Sequence, residues 1–107
     1  MNEGKYVGES RKATELQRYT FKDFVDMEEA EDTLLLAIIA AEALHGRAAV
    51  MMEARYMFSE VKRACVIERR GKISEDIIKL FTGFLIKEFG EESFSVILEL
   101  KNPIENY

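Results

Sequence analysis

The stretch "SFSVILEL" near the C-terminus sets Phe94, Val96, Leu98 and Leu100 at every second position, with Ser95, Ile97, Glu99 and Lys101 between and after them. Side chains that alternate with period two belong to a strand, whose successive residues point to opposite faces. A lone strand is not stable in water, because its backbone donors and acceptors need partners. The rest of the chain must therefore supply a sheet.

Two other segments can do so. The run "RAAVMMEARYMFSEVKRACVIERRG" reads in two ways. At period two it presents Val50, Met52, Ala54, Tyr56 and Phe58, then Cys65 and Ile67 after a polar turn; at period 3.6 it presents Ala54, Met57, Phe58, Val61 and Cys65, in a composition that suits a helix. The need for a partner strand favours a β-hairpin, with strands over 48–58 and 63–69 turning near "SEVK".

Two helices flank these strands. From Asp26, "DMEEAEDTLLLAIIAAEALHG" stacks acids where the helix dipole favours negative charge and ends at His45 and Gly46. Further on, "KISEDIIKLFTGFLIKEFGE" has Ser74 as expected N-cap, Ile73 and Ile78 at staple spacing, Lys87 in the last turn and Gly90 as the stop. The expected fold is α+β, in the order α-β-β-α-β. Two helices pack on one face of a three-stranded antiparallel sheet of order 2-1-3, leaving Met51, Met57 and Ile97 on the other face. Residues 1–19 lack clean periodicity and read as a flexible N-terminal arm, followed by a single α+β domain over 20–107.

The first helix constrains assembly. Its second half, "LLLAIIAA" from Leu34 to Ala41, is apolar nearly all round but far shorter than the roughly 20 residues that span a membrane. A two-layer domain covers one side of such a helix, so a second copy is expected on the other. The reading is a homodimer or higher oligomer with Leu35, Ile38, Ile39, Met51, Met57 and Gly83 at its contacts. Gly83 follows Thr82 in an otherwise apolar helix, and close packing against its backbone is the expected reason for a glycine there.

Composition narrows the function. Apolar residues make up 48% of the 107-residue chain, enough for a core, and a net charge of −5 repels nucleic-acid phosphate and anionic membranes. One cysteine, Cys65, rules out an internal disulfide, and with no secretory leader visible the cytoplasm is the expected compartment. Phosphate-loop, dinucleotide, zinc-protease, EF-hand and zinc-finger spacings are absent, and no cofactor is expected.

The chemistry-bearing residues each have a plain alternative. His45, the one histidine, reads first as a helix terminator bonding free carbonyls. Glu42 and His45 also have the Glu-x-x-His spacing of carboxylate-bridged di-metal sites, which need further glutamates on neighbouring helices. Cys65 lies in "RACVIE", a flank that suits strand packing better than a nucleophile. Arg69, Arg70 and Lys72, at the start of the second helix, are the best candidates for holding a phosphate or carboxylate. The leading expectation is a non-enzymatic protein-interaction module with a protein partner. The alternative is a small enzyme or anion-binding protein with a site at a subunit interface near His45, using Glu42, Arg69, Arg70 and Lys72.

Overall fold

The computed structural model describes residues 14–101. In chain order these form β1 (Thr14–Phe21), α1 (Met27–His45), α2 (Arg47–Glu53), β2 (Tyr56–Ser59), β3 (Ala64–Arg69), α3 (Lys72–Phe89), a 3-10 turn (Glu91–Ser93) and β4 (Phe94–Lys101). The class is α+β, and the sheet is antiparallel throughout, with four strands in the order β2-β3-β1-β4.

The extra strand is β1. Residues 14–19, assigned to the N-terminal arm from sequence, lie in an inner strand between β3 and β4; residues 1–13 lie outside the described residues. In "TELQRYTF" only Tyr19 and Phe21 of the helix-facing positions are apolar, Glu15 and Gln17 are polar, and Leu16 faces the other way. The alternation that marks a strand is therefore broken at its beginning. With β1 present, β3 becomes an inner strand and the order 2-1-3 does not hold.

The hairpin is shorter than its pattern suggested. Arg47–Glu53 is helix α2, as its Ala and Met content favours, and only Tyr56–Ser59 pairs with β3. Met51 accordingly lies on a helix and not on the sheet. The turn ends at Arg63, whose φ of 53° is left-handed. Its guanidinium donates to the carbonyls of Lys22 and Val25, the latter at 2.7 Å, and so ties the β1–α1 connection to the hairpin.

Helix α1 obeys both its end signals, and α3 obeys its stop at Gly90 but not its expected start. The Asp26 carboxylate accepts from the N–H groups of Glu28 (2.9 Å) and Glu29 (3.3 Å), and the Gly46 N–H closes α1 on the Glu42 carbonyl at 2.8 Å. At α3 the helix begins one turn earlier than expected. Gly71 is the N-cap, and Ser74, two residues beyond Lys72, accepts from the N–H groups of Arg70 (2.7 Å) and Gly71 (3.0 Å).

The core joins all layers. Tyr19 and Phe21 from β1, Cys65 and Ile67 from β3, Leu34, Ala37, Ile38 and Ala41 from α1, and Ile77, Ile78, Phe81 and Leu85 from α3 form one buried cluster. Ile38, expected at an oligomer contact, belongs to this core. Gly83 has the opposite fate: no neighbour comes within 4 Å of where its Cβ would stand, so close packing within the chain is not its reason.

Candidate functional site

His45 is placed by the last residue of α1, where its ring reaches across to the first turn of α3. The Nε2–Oδ2 distance to Asp76 is 2.8 Å, and Lys72 donates to the other Asp76 oxygen at 3.0 Å. A carboxylate only accepts, so Nε2 carries the hydrogen. His45 is thus a tether between two helix ends, and the carbonyl it was expected to cap is served by Gly46. The hydrogen bond from His45 and that from Lys72 hold the Asp76 carboxyl below the usual carboxylate range. Glu42 is half-buried one turn away, outside this group. Among the described residues no three His, Cys, Asp or Glu side chains gather as a metal site.

The lowered Asp76 value fixes a sign. A carboxylate held ionised in the folded state adds stability that is full above its unfolded pKa, about 4, and is lost as pH falls through the folded value. Acid titration of the melting temperature should show a steeper fall below about pH 4 for the natural chain than for Asp76→Asn. Equal slopes would show that the tether contributes nothing.

The three basic candidates separate. Lys72 is engaged by Asp76, and Arg69 lies 3.8 Å from Glu75. Arg69 and Arg70 line an open cleft of about 1030 Å³ at the end of the sheet together with Arg55, which the sequence had not suggested. Glu15, Glu68 and Glu75 line it too, so three guanidinium groups face three carboxylates. The α3 start is also partly satisfied, since Ser74 Oγ already bonds the amides of Arg70 and Gly71.

Cys65 is fully buried on β3, and burial pushes its thiol up to about 12. At neutral pH it stays protonated and packs as a small apolar side chain.

The apolar surfaces are more extensive. On α1 the inner stripe of Ala30, Leu34, Ala37, Ile38 and Ala41 faces the core, which turns Leu35 (46% exposed), Leu36 (58%) and Ile39 (59%) to the outside, while Leu44 (68%) is exposed near the helix end. Met51 and Met52 of α2 are exposed as well. On the open sheet face Met57 and Ile97 are exposed, and the register adds Leu16, Arg18, Val66, Glu68 and Glu99 there, with no aromatic side chain among them.

The second apolar surface is β4. The helices do not reach over its far half, so Val96 (38%), Leu98 (58%) and Leu100 (70%) are exposed on the same face as the core. Sequence reasoning had named Leu35, Ile39, Met51, Met57 and Gly83, which the structure leaves exposed, and missed Leu36, Leu44, Met52, Leu98 and Leu100. Continuing the 3.6 spacing from the acidic start of α1 would have separated Leu36 from Ile38. Nothing local marks which half of β4 the helices cover. Comparison with models of known families, with curated proteins and with solved structures found no match.

Proposed function

We propose that the protein is a non-enzymatic interaction module, working as an oligomer through protein contact. The observation that carries this reading is the outer face of α1, where Leu35, Leu36 and Ile39 are exposed side by side. An apolar strip of this kind on a soluble domain is an interaction surface or an aggregation liability. The Met51 and Met52 side chains on the following helix add adaptable apolar area, which suits contact with another protein chain.

The reactive groups of the protein do not favour a chemical role. The buried thiol is not nucleophilic, His45 is committed to Asp76, and the cleft beside Arg69 and Arg70 is charge-balanced. Among the described residues no helix is long and apolar enough to cross a membrane. We assign the cytoplasm as the compartment because Cys65, the one cysteine, is a free thiol.

The test is Ile39→Glu together with Leu36→Glu. Both positions are exposed, so the melting temperature should change little, while the assembly measured by sedimentation should become smaller. Unchanged association would remove the α1 face from the proposal. For the rival reading, calorimetric titration with inorganic phosphate at low salt should give no heat; binding that Arg70→Ala abolishes would favour an anion site instead.

A further inference from the structure

The edge of the sheet carries an inference of its own. The Lys22 N–H bonds the Ser93 carbonyl at 2.9 Å, and the Phe21 N–H bonds the Arg63 carbonyl at 2.9 Å. With the observed registers these two bonds fix the phase of the ladder: even-numbered residues of β1 bond β4, and odd-numbered ones bond β3. On β4 the odd residues, Ser95 to Lys101, are therefore used by β1. The N–H and C=O groups of Phe94, Val96, Leu98 and Leu100 point away from the sheet, and none of the described strands pairs with them.

Sheets ordinarily protect such an edge with lysines, prolines, bulges or short length. The opposite edge, β2, is four residues long. β4 has eight, its charges Glu99 and Lys101 lie at positions turned to the open face, and Glu99 is drawn to Arg18 of its own sheet at 3.1 Å. Every residue that offers free backbone groups on β4 has an apolar side chain. This edge is suited to receive a strand.

We propose that β4 pairs antiparallel with β4 of a second copy of this chain, about a two-fold axis at Ile97. A two-fold axis normal to the sheet keeps the helices of both copies on one face, so each residue opposes one of the same parity. Centred on Ile97, the pairing sets Ile97 against Ile97, Val96 against Leu98 and Phe94 against Leu100, while Glu99 meets Ser95. Each even-numbered pair exchanges two hydrogen bonds. Centring on Leu98 makes the two Glu99 carboxylates diagonal neighbours and leaves Phe94 without its partner, and centring on Glu99 sets the carboxylates face to face. The Ile97 register alone matches apolar to apolar along the strand without opposing like charges. It yields an eight-stranded sheet, β2-β3-β1-β4 continued by its symmetry mate in reverse order. This contact is separate from the outer face of α1.

The test compares substitutions that the ladder phase distinguishes. Leu98→Pro removes an N–H that β1 does not use, so the fold should persist, with an unchanged melting curve, while the dimer seen by analytical ultracentrifugation is lost. Leu98→Lys, which leaves the backbone intact, should also give monomer and serves if the proline variant does not fold. Ile97→Cys should form a disulfide-linked dimer on mild oxidation, because self-opposed positions bring their Cβ atoms within disulfide range, and Glu99→Cys should not. The natural Cys65 is buried and does not interfere. A natural chain that sediments as monomer at every concentration overturns the proposal, as does an Ile39→Glu/Leu36→Glu chain whose dimer survives Leu98→Lys, or an Ile97→Cys link no faster than Glu99→Cys. Loss of the dimer in Leu98→Lys but not in Ile39→Glu would sink the α1 reading and keep this one; the reverse pattern would do the opposite.

Discussion

Tyr19→Ala is expected to cost about 3–5 kcal/mol, enough to bring a domain of this size close to unfolding. Tyr19 has no exposed surface, and it stands where the two layers meet. Its ring meets Phe81 of α3 edge-on with centroids 4.9 Å apart, and Phe94 of β4 at 5.9 Å. One side chain thus fastens the helix layer to the inner strand and to the edge strand together. The hydroxyl adds a bond to Thr82 Oγ1 at 2.7 Å, and burial raises the phenol above its ordinary value, so it stays a neutral donor or acceptor. Tyr19→Phe keeps the packing and removes only that bond and the long one to the Ile78 carbonyl at 3.5 Å, so the expected loss is about 1 kcal/mol. Urea denaturation of the three proteins, followed by circular dichroism, should rank them natural, Phe, Ala with the larger gap second. Equal losses for Phe and Ala would mean that the hydroxyl, and not the ring packing, is what matters.

Three glycines should respond to alanine in opposite directions. Gly46 (φ 89°, ψ 145°) and Gly90 (φ 94°, ψ 157°) end α1 and α3 in a region of backbone space that only glycine occupies readily. Neither has an atom within 4 Å of a Cβ position, so space is not the obstacle. Alanine at either site should cost about 1–3 kcal/mol through backbone strain alone. Gly83 lies within α3, equally unobstructed, and Gly83→Ala should stabilise by up to about 1 kcal/mol, since alanine loses less chain entropy in a helix. Thermal melts of the three variants check this at once. A Gly83→Ala protein less stable than the natural one would mean that another chain rests on that notch, the role the sequence first suggested for it.

The elements legible in the sequence were those whose signals are local. Asp26 and Gly46 bracket α1, Gly90 stops α3, and the alternation from Phe94 marks β4. β1 was not legible because half of its inward positions are polar at its open end, and it is held by partners on both sides that local pattern does not reveal. The β2 boundary failed for a related reason: the same apolar residues satisfy two periods, and α2 takes the first seven. For the candidate site, Leu35 and Ile39 were visible as surplus apolar surface on a helix. Ile38 was assigned to the wrong side because the position of the core around α1 depends on α3. The partner of His45 was out of reach for the same cause, since Asp76 lies 31 residues away.

The central position of β1 also governs the order in which the sheet is made. Its ion pair with β4, between Arg18 and Glu99, spans 81 residues of chain. During synthesis β1 emerges before its β3 neighbour, and the side meant for β4 stays empty until nearly all described residues have left the ribosome. The nascent protein therefore exposes an inner strand edge from the time β1 and β3 pair until β4 emerges. A sheet closed by such distant segments folds slowly, and it is vulnerable to mispairing until β4 is in place.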